Sequence, residues 1–239
     1  MKNHLFRIIS LVLIFSFLAI AGEIGIRVYH HFKGRKMVLD KELGWLPGAN
    51  YVFNGEKVDA SGQTYSVTFQ TDNRGFRLFG NHREANKKKV LFIGDSFTHA
   101  VEVSNDKTYY GILKDTLPIE VFAFGGGGYG TLQEYMILEK YLDDVKPDAI
   151  VLQLSSNDFI NNHYELEARS ARNNNGMRRP YLTKNGEIIY KLPKSFSIIR
   201  DIAYNHLRFF NFIFSRIDRL NFVLSANSVE DIIKKRGRS

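Results

Sequence analysis

Three short segments of the chain carry groups that nucleophilic catalysis uses. They are Gly94-Asp95-Ser96-Phe97, the glycine-rich run at residues 125–131, and Ser155-Ser156-Asn157-Asp158. Ser96 offers a hydroxyl that a base can activate, and the other two segments offer hydrogen-bond donors. Donors are needed because attack on an ester places a negative charge on the carbonyl oxygen. Together the segments predict an acyl-transfer site.

Three donors are candidates for binding that oxyanion. The Ser96 N–H is expected near the start of a helix, the Gly128 N–H has no side chain to block a ligand, and Asn157 adds an amide. Each such donor contributes a factor on the order of 10²–10³ in rate. Taken singly, a Ser beside a Gly indicates a turn or helix cap, so the prediction depends on the joint placement of the segments.

Each segment follows an apolar run that has the composition of a buried strand. The runs are residues 90–93, 119–124 and 149–154, with predicted helices at 108–117 and 132–145 between them. This alternation is typical of right-handed βαβ units with a parallel sheet covered on both faces. Loops after the carboxyl ends of such strands lie at one edge of the sheet. The pattern predicts an α/β core with the three segments side by side.

The glycine run has a rival interpretation as a nucleotide-binding loop. Gly125, Gly127 and Gly130 match the spacing of a dinucleotide fingerprint. That fingerprint requires an acidic residue at the end of the next strand, where this chain has Ser155-Ser156-Asn157-Asp158. A P-loop is excluded, because no Lys-Ser or Lys-Thr follows the glycines. A nucleotide-binding module stays an alternative, and no cofactor is expected.

The three segments resemble the first three sequence blocks of the SGNH/GDSL hydrolase family. Leu43-Gly44-Trp45 and residues 71–77 resemble the lead-in of its membrane-anchored bacterial members, so the likeness covers about residues 8–160. It implies a flavodoxin-like three-layer α/β/α fold and hydrolysis of esters, commonly of acylated carbohydrates or lipids. By this likeness Ser96 is the nucleophile, and Ser96 N–H, Gly128 N–H and the Asn157 side chain form the oxyanion hole.

The chain departs from this family in its general base. The family uses a late Asp-x-x-His motif, and none of the seven histidines has an aspartate three residues before it. A serine hydroxyl without a base is a weak nucleophile. His99, three residues after Ser96, and His163, shortly after Asn157, are the possible substitutes. The alternative is a catalytically incomplete, truncated domain that binds an acylated glycan without turning it over. Two smaller departures are Ala123 and Ser155, where many members have Asn and Gly.

The N-terminus carries a membrane signal. Residues 8–22 have only Ser10 and Ser16 as polar side chains, and the apolar character resumes after Glu23. Nineteen helical residues cover roughly 28 Å, close to the hydrocarbon thickness of a bilayer. We expect a single-pass membrane protein whose soluble domain is periplasmic or extracellular. A cleaved signal peptide is the alternative, because Ala19-Ile20-Ala21 has the form of a cleavage site.

The flanking regions have weaker signals. Residues 66–71 alternate polar and apolar side chains, which predicts a strand in a small β-rich lead-in, and residues 184–187 predict a hairpin turn. Residues 196–224 are aromatic and helical. They are interpreted as a helix or lid that covers the core, with membrane-surface contact as the alternative. The predicted regions are an anchor at 1–28, the lead-in at 29–86, the α/β core at 87–160 and a C-terminal region at 161–239.

Composition excludes several classes of protein. The chain has no cysteine, so disulfide scaffolds, thiol nucleophiles and Cys-type zinc sites are ruled out. The net charge of +8 is spread over separate basic clusters without a base-reading pattern, so no nucleic-acid partner is expected. No histidine or carboxylate pair has a spacing typical of a metal site. The expected partners are the membrane and an acylated carbohydrate or lipid.

Overall fold

A computed structural model describes most of the chain as two compact units. One unit comprises residues 1–34 and 194–239, and the other comprises residues 35–193. All three segments predicted to carry chemistry lie in the second unit. The described residues are 2–33, 37–78, 87–170, 172–173, 176–193, 199–200, 202, 206–225 and 229. The predicted boundary at residue 86 and the first residues of the predicted 196–224 helix lie outside them.

The first unit begins with helix α1, Lys2–Lys33. Within α1, His4–Tyr29 is strongly apolar, and no residue of its most apolar window is buried in the protein. The helix is therefore long and apolar enough to cross a membrane, a character that an N-terminal signal sequence shares. The predicted apolar helix is confirmed.

The second unit opens with two antiparallel strand pairs. β1 (Met37–Asp40) pairs with β2 (Gly44–Pro47), and β3 (Val52–Val58) pairs with β4 (Thr64–Gln70). In β4 the side chains of Val67 and Phe69 are buried while their neighbours are exposed, as the alternation of the sequence predicts. The β-rich lead-in is confirmed.

A parallel three-stranded sheet forms the centre of this unit. Its order is β6-β5-β7, where β5 is Lys88–Gly94, β6 is Ile119–Gly125 and β7 is Ala149–Gln153. The register places Gly94 opposite both Gly125 and Gln153, so the three strands end at the same edge. The intervening helices are α2 (Ser96–His99), α3 (Tyr109–Thr116) and α4 (Thr131–Val145). The predicted α/β core is confirmed in this form.

Alternate side chains of β5 enter two separate cores. Leu91 and Ile93 pack in a cluster with Ile137 of α4. Phe92, on the other face, packs with Tyr110 of α3. This follows from the two-residue period of a strand, which sends successive side chains to opposite faces. Side chains of β5 therefore contact α4 in one core and α3 in the other.

Strand β7 differs from the expectation of a fully covered strand. Ile150, Val151 and Leu152 are 44%, 39% and 46% exposed. These side chains are exposed because β7 pairs with β5 along one side and stands at the edge of the sheet as far as the described residues extend.

The unit closes with two short helices and a hairpin. The hairpin is anchored by a buried ion pair in which Arg179 Nε lies 2.9 Å from Glu167 Oε2, with both side chains fully buried. Tyr181 donates to the same carboxylate at 3.0 Å. The hairpin predicted around residues 184–187 is confirmed. These elements are α5 (Asp158–Asn161), α6 (Tyr164–Ala168), β8 (Arg179–Leu182) and β9 (Ile188–Lys191).

Helix α7, Arg208–Ser225, belongs to the first unit and contacts α1. It confirms most of the helix predicted at residues 196–224. Its partner among the described elements of that unit is the apolar N-terminal helix.

Candidate active site

Ser96 stands at a sharp strand-to-helix turn. β5 ends at Gly94, Asp95 caps the helix by accepting a hydrogen bond from Phe97 N at 2.9 Å, and Ser96 is the first helical residue. Asp95 suits this position because a carboxylate satisfies an unpaired N–H of the first turn. The turn holds Ser96 at the carboxyl edge of the sheet, where the sequence predicts it.

The Ser96 hydroxyl and N–H are both accessible groups. The residue is exposed, and its Oγ lies 3.4 Å from Asp95 Oδ2, which makes a long hydrogen bond. The Ser96 N–H, like other N–H groups in the first turn of a helix, has no intrahelical acceptor. It has no acceptor elsewhere in the described part of the chain. One donor for an oxyanion is therefore free beside the hydroxyl.

The glycine run forms a tight turn that only glycine accommodates well. Tyr129 N donates to Gly126 O at 3.0 Å and closes the turn, and Gly128 has a φ of +75°. A residue with a Cβ is strained in this left-handed conformation. Gly126 N donates to Gly94 O at 3.2 Å, which attaches the turn to the end of β5.

Trp45 orients the peptide bond between Gly127 and Gly128. Its indole Nε1 donates to Gly127 O at 3.1 Å, and the side chain is fully buried. The C=O and N–H of a trans peptide point in opposite directions, so the Gly128 N–H points away from Trp45. That N–H has no acceptor in the ranges that the structure describes. Trp45 therefore leaves a second donor free.

Asn157 lies against the same turn. Its Nδ2 donates to Tyr129 O at 3.4 Å and to Asn161 Oδ1 at 3.2 Å. These hydrogen bonds hold the amide next to the residue that follows Gly128. The structure brings Asn157 and the glycine turn together, as the sequence predicts, and joins the turn to the strand that carries Ser96.

The two candidate histidines differ in their surroundings. His99 is 8% exposed, and a Cβ added to Gly127 would lie 3.9 Å from His99 Nδ1. His163 has a 60% exposed side chain, and its Nδ1 lies 3.0 Å from Glu165 Oε2, an exposed carboxylate. Neither histidine is hydrogen-bonded to Ser96 within the described residues. His99 is the one that borders the glycine turn.

A buried carboxyl group lies behind the site. Glu134, in the first turn of α4, is fully buried, and neither of its oxygens has a hydrogen-bond partner among the described residues. Burial, with smaller contributions from the charges of Asp158 and Asp95, raises the pKa of Glu134 to about 8. Burial and the charge of Asp95 also raise the pKa of Asp158, although a hydrogen bond from the Ser155 N–H opposes this. Burial and the neighbouring negative charges therefore favour the protonated form of Glu134.

Among the described residues, no group of three or more histidines and carboxylates is arranged to hold a metal ion. What the site offers instead is a hydroxyl, two free N–H groups and an amide at one edge of a sheet. Such donors suit a carbonyl oxygen that gains negative charge.

Two contributors to the site were not predicted from the sequence. Trp45 is the only tryptophan of the chain, and its contact with Gly127 joins residues 82 positions apart. Glu134 follows the glycine run closely, but an acidic residue in a first helical turn is ordinarily explained by the helix dipole.

No protein-family model and no curated protein matches this chain.

Proposed function

We propose that the protein is a serine ester hydrolase of the SGNH type that forms an acyl-enzyme at Ser96. The observation that carries the proposal is the orientation of the Gly127–Gly128 peptide by Trp45. It leaves the Gly128 N–H free beside Asn157, at the sheet edge that also holds Ser96 and its free N–H.

The proposed reaction has two halves. Ser96 Oγ attacks the ester carbonyl carbon while a base takes its proton, and the tetrahedral oxyanion accepts hydrogen bonds from Ser96 N, Gly128 N and Asn157 Nδ2. Collapse of this intermediate releases the alcohol, which takes up the proton, and leaves an acyl ester on Ser96. Water then attacks that ester by the same route, which releases the carboxylic acid and returns the proton to the Ser96 hydroxyl.

His99 is the base that this proposal adopts. It lies on the same short helix as Ser96, three residues later, and its ring borders Gly127. The side chains of residues three apart on a helix lie on the same side. His163 stays the second candidate, with Glu165 as the group that orients its ring.

The fold and the location belong to the same proposal. Contact of β5 with α4 in one core and with α3 in the other supports a flavodoxin-like three-layer arrangement. The apolar length of α1 supports a membrane anchor, which would hold the domain outside the cytoplasmic membrane. The substrate we propose is an acylated carbohydrate or lipid of the cell envelope.

A second function is favoured by one observation. The only hydrogen-bond partner of the Ser96 hydroxyl among the described residues is Asp95, which does not activate it as a histidine would. A protein that binds an acylated glycan through the free donors, without turnover, would have this geometry.

Hydrolysis of p-nitrophenyl acetate and of acetylated xylan by the full chain in detergent micelles tests the proposal. We expect turnover that Ser96→Ala abolishes, while Ser61→Ala, a matched change in the exposed β3–β4 loop, preserves it. Absence of turnover by a folded chain that still binds acetylated xylan would favour the binding protein instead.

A further inference from the structure

Helix α7 is attached to α1 by a polar junction at its first turn. Phe209 N donates to Glu23 Oε2 at 2.8 Å, and Arg27 Nη2 donates to His206 O at 3.1 Å. Arg27 Nε also donates to Glu23 Oε1 at 2.6 Å. Because Glu23 accepts an N–H that the helix itself leaves unpaired, the start of α7 is fixed against residues 23–27 of α1.

Aromatic packing places this junction on the apolar part of α1. A Cβ added to Gly22 would lie 2.4 Å from the Phe209 ring, so only glycine permits this contact. The rings of Phe15 and Phe210 also meet, with centroids 6.3 Å apart. Both contacts fall inside His4–Tyr29, the segment apolar enough to cross a membrane. Helix α7 therefore starts beside the candidate span.

The apolar face that starts at this junction continues along α7 as a row of partly exposed side chains. Ile213, Ile217 and Leu220 follow Phe209 at helical spacing and are 37%, 44% and 62% exposed. Exposed apolar side chains in a continuous stripe indicate a surface that meets something apolar. Phe209 packs on α1, so the surroundings of α1 also contact the apolar stripe that begins at Phe209.

The composition of α7 excludes a second span and fits a membrane surface. The helix contains three arginines and one aspartate, and α1 is the one described helix with the length and hydropathy of a span. Basic amphipathic helices with aromatic and aliphatic residues on one face lie in the plane of the bilayer interface. The net positive charge of α7 suits anionic headgroups.

We propose that α7 lies in the membrane interface, docked on α1, with Ile213, Ile217 and Leu220 among the lipid acyl chains. This inference rests on the proposed role of α1 as a retained membrane span, and it is independent of the chemistry at Ser96. It also gives α1 a structural partner, which a cleaved signal peptide would lack.

Site-directed spin labelling of the full chain tests this placement, because the absence of native cysteine leaves each introduced label alone. The labelled variants are Ile213→Cys, Ile217→Cys and Leu220→Cys, reconstituted in vesicles of phosphatidylcholine and phosphatidylglycerol. Val12→Cys, on the exposed apolar surface of α1, is the control for lipid contact. Glu139→Cys, on the exposed side of α4, is the control for contact with water.

We expect oxygen to relax the three α7 labels more strongly than a water-soluble nickel chelate does. The label at Val12→Cys should behave in the same way. The label at Glu139→Cys should be relaxed more strongly by the nickel chelate than by oxygen. Access to nickel equal to that of Glu139→Cys would overturn the proposal. Labels shielded from both reagents would overturn it too, because they would indicate a protein partner. An intact mass that lacks residues 1–22 would also contradict it. None of these results depends on whether Ser96 reacts.

Discussion

Replacing Glu134 with glutamine should remove a large part of the dependence of stability on pH. The side chain is fully buried, and its pKa rises from the ordinary 4.5 to about 8. A carboxyl whose folded pKa is raised favours the folded state fully below the unfolded pKa. That contribution is lost as the pH rises towards the folded pKa.

The magnitude follows from the two pKa values. At pH 7 the carboxyl is ionised in the unfolded state and protonated in the folded state. The pH is then about 2.5 units above the ordinary pKa of 4.5, so folding must take up a proton. At 1.36 kcal/mol per pH unit this costs about 3 kcal/mol of unfolding free energy, and about 5 kcal/mol above pH 8. Glutamine has nearly the same shape and does not titrate, so the variant should gain this amount relative to the wild type between pH 4.5 and pH 7.

Urea unfolding of the full chain in detergent micelles measures the effect. Trp45 is the sole tryptophan and is fully buried in the same unit, so its fluorescence reports on that unit. Glu139→Gln, on the exposed side of the same helix, should keep the wild-type dependence on pH. Parallel curves of stability against pH for the wild type and Glu134→Gln would refute the reasoning.

Three further predictions concern the donors and the buried ion pair. Asn157→Ala should lower kcat for ester hydrolysis by about 10²–10³-fold, because one donor to the oxyanion is lost, and an unchanged kcat would exclude Asn157 from the site. Trp45→Phe should lower kcat/KM by about fivefold, since the loss of its hydrogen bond to Gly127 costs about 1 kcal/mol in the orientation of the Gly128 N–H. Equal values for variant and wild type would contradict that role. Arg179→Met should destabilise the second unit by about 3–5 kcal/mol in urea unfolding, because it leaves Glu167 buried without its cation. A loss below 1 kcal/mol, the size typical of an exposed pair, would show that Glu167 finds another partner.

The sequence was sufficient to predict those strands and helices whose local hydrophobic pattern matches their burial in the folded protein. The runs that became β5, β6 and β7 are continuously apolar, and the helices between them have helical spacing, so strands and helices fall where they were expected. Ser96 and the glycine turn follow directly from the ends of these strands, because parallel strands align their carboxyl ends.

Contacts between distant parts of the chain could not be predicted in this way. The contact of Trp45 with Gly127 and that of Phe209 with Glu23 join residues 82 and 186 positions apart, and no local pattern encodes such pairings. The burial of Glu134 depends on how α4 packs behind the site, whereas its sequence position alone indicates an exposed first turn. β7 has the composition of a covered strand but is partly exposed, because composition does not specify its neighbours.

Covalent capture tests the central claim most directly. The full chain in detergent micelles is treated with a fluorophosphonate and examined by intact mass and peptide mapping, beside Ser96→Ala and Ser61→Ala. The proposed mechanism predicts one adduct on Ser96 that is absent from Ser96→Ala and present in Ser61→Ala. A folded chain that forms no adduct, or one that forms the same adduct after Ser96→Ala, would contradict an acyl-enzyme at Ser96.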